Sequence, residues 1–384
     1  MANTLTAILP VIYEAADVIS RELTGFIPAC FRNSSAARAA KDQSVNYPVV
    51  GAMTAADATP SNVSSTGTDQ TVGSGEMKIT KVRKVSFNWT GEESQALSAG
   101  DVPQGQNVMR DQFAQAMRTL VNEIENDLWL AAYKGASRGY GTAGTTPFGT
   151  ANDLSDFAGV LEILEKNGCP AGDRHLVVGS AAMANLRGKQ SVLFKVNEAG
   201  NADLLRRGVV GEVQGLMVHN SHPIATHTKG TGSGYLINNA SGEAVGETTI
   251  TTDTGTGTII PGDIVTFAGT SHKYVVNTAL ASNDFVIGKP GLLVLEADND
   301  AITVGNNYVP NVAFDRNALH LITRAPALPQ GGDSADDMIE IVDPQTGLAF
   351  QVAVYRQYLQ ASYEVRMAWG VKAVKSDHIA ILLG

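Results

Sequence analysis

The segment from Gln104 to Tyr133 constrains this chain more than any other. Met109, Phe113, Met117, Leu120, Ile124, Leu128 and Ala131 recur at steps of four and three, which makes one unbroken apolar stripe. Asp101 and Pro103 supply start signals, and Gly135 supplies a stop. A helix of that length spans roughly 45 Å at ~1.5 Å per residue. Arg110, Asp111, Arg118, Glu123 and Glu125 take the other faces. Such a stripe needs apolar surface along its whole length.

Upstream, Pro10 to Thr24 reads as a shorter helix, with Pro10 in its first turn and Gly25 at its close. Ile12, Ala16, Ile19 and Leu23 share one side. It is either an ordinary surface helix or an arm that docks on a neighbouring copy. Residues 46–75 hold no Lys or Arg and almost nothing to bury. A loop of that length inside a compact domain is usually functional or mobile. It runs into EMKITKVRKVSFNWTG (Glu76 to Gly91). Met77 and Ile79 alternate, as do Val85, Phe87 and Trp89, with a phase break near Lys81 and Val82. The pattern predicts a strand with a bulge or twist. Extended, it reaches roughly 45 Å at ~3.3 Å per residue, and a projecting two-stranded ribbon is not stable alone. Lys78, Lys81, Arg83 and Lys84 cluster on it. In an acidic chain they suit contact with another copy; the plainer alternative is a solvated charged strand.

Downstream, Asp153 opens a further helix with Leu154, Phe157, Leu161 and Leu164 inward, stopped by Gly168 and Pro170. RHLVV (Arg174 to Val178) reads as a short buried strand, and Gly179-Ser180 starts a short helix through Leu186. From Thr228 to Asn311 the chain is Thr- and Gly-rich with closely spaced turn dipeptides, which signals a small sandwich or barrel. Within it Pro261-Gly262 suits a turn with Pro at the second position and Gly at the third. In the strand that follows, Val265 and Phe267 share one face, and Ile264 and Thr266 the other. Ile264, Val265 and Phe267 are the expected core of this insert. From Ala318 apolar alternation returns, at Phe350, Val352 and Val354 and then at Tyr363, Val365, Met367 and Trp369. The expected class is α+β, interrupted by an all-β insertion.

Composition limits the function. Lys and Arg number 28 against 38 Asp and Glu, a net charge of −10, and no basic run interleaves with aromatics. That argues against a domain that grips nucleic acid through its phosphates, though not against one that encloses it. Charged residues make up 17% of the chain, below the ~25% of ordinary soluble domains, and 39 residues are Gly. Such a surface suits a chain that packs against copies of itself, or an extracellular β-protein. Cys30 and Cys169 are far apart in sequence and flank no metal spacing, so a reduced compartment is expected. The N-terminus lacks a basic n-region, and Glu14 and Asp17 interrupt its apolar stretch, so no signal peptide is expected. No run of ~18 apolar residues is present, and no membrane partner is expected. The glycosylation-type matches at Asn62, Asn88 and Asn239 then carry no meaning.

The sequence carries no recognisable catalytic or ligand motif. His219, His222 and His227 form the best metal candidate, yet no Cys or carboxylate accompanies them and Pro223 breaks a helical face. Gly230 to Gly234 lacks the Lys-Ser/Thr of a phosphate loop. Asp298 and Asp300 have calcium-loop spacing, but Ile302 takes the third ligand position. Ser376, Asp377 and His378 are adjacent in sequence, which is not how a triad is built. No catalytic, cofactor-binding or metal residue is expected, and the chain does not read as an enzyme.

The order of parts carries a resemblance: an arm helix, a long extended loop, a spine helix, then an α/β unit. HLVVGSAAMANLRG and the closing YEVRMAWGVKAVKSDHIAILLG sharpen it. Together they resemble the major capsid protein of tailed bacteriophages, the Hong Kong phage fold shared with encapsulins. IIPGDIVTFAGTSHKYVVN, DFVIGKPGLLV and NVAFDRNALHLITRAPALP are similar to the Salmonella-podovirus coat proteins, whose insertion domain is a small antiparallel β-barrel. The resemblance implies an N-terminal arm over 1–45, an extended β-ribbon loop over 46–91, and a peripheral domain with spine helix over 92–150. It implies an axial domain over 151–228, the inserted barrel over 229–313, and the axial return with the C-terminal peripheral strands over 314–384.

The implied function is an icosahedral shell of pentamers and hexamers enclosing double-stranded DNA without sequence-specific binding, in the virion and, during assembly, in the host cytoplasm. The implied partners are other copies, a portal protein and a separate scaffolding protein, with a decoration protein left open. Contact candidates are Lys78, Lys81, Arg83, Lys84, Ile12 and Ile19; hinge candidates are Gly91, Gly100 and Gly135. An encapsulin-like compartment and a surface adhesin are the competing readings.

Overall fold

A computed structural model describes residues 12, 14–15, 25–34, 38–50, 53, 55, 57, 60, 72–98, 104–190, 210–343 and 347–384. In chain order it contains α1 (Phe26–Ala29), β1 (Phe31–Ser34), β2 (Ser44–Val50), β3 (Val72–Lys78), β4 (Lys81–Thr90), α2 (Gly91–Ser98), the spine helix α3 (Gln104–Lys134) and β5 (Arg138–Tyr140). Then come α4 (Ser155–Lys166), β6 (Arg174–Val178), α5 (Ser180–Lys189), β7 (Glu212–Val213) and β8 (Leu216–Asn220). The insert contributes β9 (Tyr235–Ile237), β10 (Thr249–Asp253), β11 (Ile264–Phe267), β12 (Tyr274–Ala281), β13 (Asp284–Ile287) and β14 (Ala301–Val304). The return is β15 (Pro310–Asp315), β16 (Leu319–Arg324), β17 (Asp337–Val342), β18 (Ala349–Gln357), β19 (Gln360–Ala373) and β20 (Ile379–Leu383). The spine helix and β6 lie where the sequence pattern places them.

The central sheet runs β5-β20-β15-β6-β8-β7. Its strands are apolar on both faces because both faces are covered. Val177, Val312, Phe314, Ile379, Ile381 and Leu383 meet the spine helix and α1. Their neighbours Leu176, Val178, Ala313, Ala380 and Leu382 meet α4 and α5. α4 buries Phe157, Val160, Ile163 and Leu164, so its inward face is turned slightly from the expected one, with Leu154 and Leu161 at its margin.

A second sheet lies along the other half of the spine. β19 pairs on one edge with β4, from Gln360↔Thr90 to Trp369↔Lys81, while β18 and β16 share its other edge end to end. β17 and β1 complete it. Phe87, Phe113 of the spine and Tyr363 form an aromatic triangle with centroids 4.9, 5.4 and 5.7 Å apart. The spine stripe is therefore covered by both sheets in turn.

The continuous strand expected over Glu76 to Gly91 is divided. β3 pairs with β2 in a separate two-stranded ribbon, and β4 belongs to the second sheet. The phase break is the point where the chain changes sheets, at Ile79-Thr80. Met77 and Ile79 bury with Ala39, Ile322 and Ala368, whereas Trp89 buries against the spine. Gly370 permits the crossing, since a Cβ there would stand 2.0 Å from the Lys78 carbonyl.

The insert is a closed barrel. Its ring runs β11-β14-β9-β10-β13-β12 and shuts through β11–β12 pairing. All six pairings are antiparallel. Val265 and Phe267 point into its core with Tyr235, Ile237, Ile250, Tyr274, Val276 and Phe285. Ile264 is a correction: it is buried, but on the opposite face of β11, in the main core with Leu383. A strand between two cores has no outward face, so alternation sorts its residues between cores.

Candidate assembly surfaces

Charged side chains fix the elements that the surface presents. Lys81 Nζ lies 2.9 Å from both Glu123 Oε1 and Asp127 Oδ1, while Trp369 Nε1 donates to Asp127 Oδ2 at 2.9 Å. Burial alone would lower the Lys81 pKa, but these two carboxylates more than offset it and the net shift is upward. Arg83 reaches Glu123 at 3.2 Å, and Lys84 reaches Glu364 at 2.6 Å. These three candidates thus clamp β4 to the spine and to β19 within one chain. Lys78 stands on the ribbon, 3.7 Å from Glu76 and half exposed. Ile12 is buried in the chain's own main core, and Ile19 lies outside the described residues.

Sequence periodicity put Glu125 on a polar face of the spine, yet it is fully buried. Its Oε1 accepts from the Gly25 and Phe26 N–H groups at 2.5 and 2.8 Å and from Ser221 Oγ at 2.6 Å. Oε2 accepts from the Ile27 N–H at 3.0 Å. One carboxylate so anchors the start of α1 to the spine and to the loop after β8. Its partners lie about a hundred residues away in sequence, which periodicity cannot see.

The three histidines of the metal candidate are not brought together. His222 is exposed. His219 Nε2 sits 3.0 Å from His175 Nδ1, and His175 Nε2 lies 2.9 Å from Asp173 Oδ1. Burial, then the charges of His175 and Arg316, push the His219 pKa down to about 4. His227 lies at the joint between barrel and spine. Its Nε2 is 2.9 Å from Asp263 Oδ1, and its Nδ1 is 3.4 Å from the Tyr133 hydroxyl. Asp263 also accepts from the Gly230 and Ile260 N–H groups. Just before it, Asp263 N–H closes the expected turn onto Ile260 O at 3.0 Å, with Gly262 at φ +97°. Among the described residues no group of three metal-ligating side chains is present, and no helix is long and apolar enough to cross a membrane.

Of the hinge candidates, Gly135 has a packing role: a Cβ would stand 2.4 Å from that of Ala373. Gly91 begins α2 and donates its N–H to Leu359 O at 3.0 Å. Gly100 lies outside the described residues.

Three outward features expose apolar side chains. At the far end of the ribbon, Val50 and Val72 pair with 62% and 59% of their surface exposed. At the β18–β19 hairpin tip, Tyr358 and Leu359 are 90% and 74% exposed. On the barrel, Val245, Val294 and Leu295 are exposed on two adjoining segments that bridge at Glu243 and Glu296. Sequence reasoning missed the second and third, because single apolar residues in turns carry no periodicity.

No protein-family model matches the sequence, and no curated protein does. Solved structures do. The capsid structure of the cyanophage P-SCSP1u is 12% identical, with a TM-score of 0.50 over 94% of this chain and 88% of that one. A structure of Mycobacterium phage Che8 is 13% identical, with a TM-score of 0.47 over 89% and 85%. The asymmetric unit of the mature capsid of bacteriophage PhiM1 is 11% identical, with a TM-score of 0.47 over 94% and 87%. The cyanophage match covers 94% of this chain, which has the fold of that capsid structure, with a closed barrel inserted between β8 and β15.

Proposed function

We propose that this chain is the major capsid protein of a tailed bacteriophage, a structural protein rather than an enzyme. Copies assemble as pentamers and hexamers into an icosahedral shell around double-stranded DNA. The observation that carries this reading is coextension: the likeness to the cyanophage capsid runs through nearly the whole of both chains. The net charge of −10 agrees, since an acidic subunit lets packaged DNA move rather than stick.

The division into arm, extended loop, peripheral and axial domains and insert belongs to the same proposal. So do a portal and a separate scaffolding protein as partners, and the virion as location, with the host cytoplasm as the place of assembly. The inter-subunit surfaces are the ribbon with Lys78, the hairpin tip and the exposed barrel patch, with Gly91 and Gly100 as pivots between quasi-equivalent positions. The inserted barrel weighs against a cellular nanocompartment.

Expression of the chain alone, followed by electron microscopy and light scattering, is expected to give irregular or mixed-size particles of megadalton mass. Uniform shells would overturn the separate scaffold. A species that stays monomeric or trimeric at every concentration would overturn the capsid reading.

A further inference from the structure

The ribbon is anchored to its own body at its base. Met77 buries there with Ile79, Ala39, Ile322 and Ala368, and Val45 and Tyr47 pack against the margin of this small core. One step along the second sheet, three side chains form a rung. Phe31 of β1 pairs with His320 of β16, and His320 pairs with Lys372 of β19. Cross-strand partners stand on the same face of a sheet, so all three meet the same surroundings. Phe31 and His320 have ring centroids 4.7 Å apart, and the His320 and Tyr47 centroids are 6.1 Å apart. Lys372 Nζ lies 5.9 Å from the centre of the Tyr47 ring and donates to the Glu76 carbonyl at 2.7 Å. One lysine of the body thus touches both strands of the ribbon.

The ribbon is cut to fit this seat. Tyr47 pairs with Gly75, and its ring takes the space that a side chain would need there. A Cβ at Gly75 would stand 2.2 Å from Tyr47 Cζ. Farther out, Pro48, Val50, Val72, Gly73 and Ser74 are exposed. Gly73-Ser74-Gly75 brings little side chain to stiffen β3, and glycine weakens a strand interior. The seat itself is made of tilted ring pairs, a cation–π contact and one surface hydrogen bond, each of them weak alone.

We propose that the ribbon is a strap whose direction is set by this seat. With Tyr47 seated between His320 and Lys372, the strap stands at one angle. With Tyr47 lifted, it swings about the anchor that remains at Met77. A copy that must meet its neighbours at several angles then changes one surface contact and keeps its fold. That use rests on the capsid reading; the strap itself does not, and a chain below its assembly concentration tests it separately.

The test is the distance between spin labels at Val72→Cys on the ribbon and Gln115→Cys on the exposed side of the spine, read by double electron–electron resonance in the dilute full chain. Cys30 and Cys169 are buried and stay unlabelled. One narrow distance is expected with the seat intact. Lys372→Gln with His320→Ala alters only the body, and the narrow distance should be lost to a broad distribution. Gly75→Ala should have the same effect by filling the place of the ring, whereas Tyr47→Phe should keep the narrow distance. If the double variant unfolds, Lys372→Gln alone, at an exposed position, replaces it. A narrow distance that survives the body-side substitutions overturns the strap, as does a distribution already broad in the parent chain.

Discussion

Two β units leave the body of this protein, and both are built from Thr-, Ser- and Gly-rich sequence. The barrel closes its ring, so its strands have no open edge, and it owns a core centred on Val265, Phe267 and Phe285. Among its described residues the ribbon has only two paired strands, buries Met77 at its base, and carries exposed Val50 and Val72. Backbone hydrogen bonding alone does not stabilise a two-stranded unit in water. The barrel is thus stable within the chain, and the ribbon depends on what it lies against.

Phe267→Ala is the strongest way to break this comparison. It empties a space in a small core with little else to collapse into it, at a cost of roughly 3–5 kcal/mol. Urea unfolding should show the loss, and hydrogen exchange should place it in β11, β12 and β14 while the ribbon amides stay as they were. Equal loss of protection in β2 and β3 would show that the two units are not energetically separate.

The barrel residue itself was legible in the sequence, because alternation within a short strand sorts Val265 and Phe267 to one face. The spine was legible for the same kind of reason, a period sustained over eight turns or so. The double-sided burial of β15 and β20 shows as the unbroken apolar runs VAF and IAILL. What failed to show were features fixed by distant partners. Ile264 faces a second core, Glu125 is covered by the start of α1, and Arg83 and Lys84 are spent within the chain. Arg138 reads as an ordinary residue after a helix; only the meeting of β5 with β12 and β20 makes it a buried cation. Local pattern reports the face a residue lies on, and tertiary pairing decides what that face meets.

Acid should drive the units in opposite directions and weaken the body. Burial pushes the Glu296 carboxyl up; the Thr270 hydroxyl opposes the shift and Asp300 adds to it. The folded barrel therefore holds a proton that the unfolded chain releases, and its stability rises as pH falls through that raised pKa. On the ribbon, the Ser44 hydroxyl and then Lys78 and Lys372 hold Glu76 below the usual carboxylate range. That contribution is present above pH ~4.5 and is lost as pH falls toward the depressed pKa. In the body, His219, held near 4, and His175, lowered chiefly by burial, refuse protons that the unfolded chain takes up below pH ~6.5. Between pH 7 and pH 5 the global stability should fall by about 2 kcal/mol, read by urea midpoints. Between pH 6 and pH 4, exchange rates corrected for intrinsic chemistry should show slower opening around β14 and faster opening in β3. Movement of both in the same direction would sink the contrast.

The smallest effect on stability should accompany the largest on assembly. Val50 and Val72 pair with each other on the ribbon and are largely exposed. Val50→Ser with Val72→Ser removes exposed apolar surface without opening a cavity, so the unfolding free energy should change by no more than about 0.5 kcal/mol. If the ribbon is stabilised by lying on another copy, the same pair of substitutions removes the apolar surface that the neighbour covers. Particle yield by light scattering should then drop several-fold while the urea midpoint stays put. A polar pair placed on the barrel at Val245 and Val294 serves as the control for generic loss of surface hydrophobicity. Unchanged yield in the ribbon variant, with unchanged stability, would leave those valines without a neighbour and confine the assembly surface to the hairpin tip and the barrel.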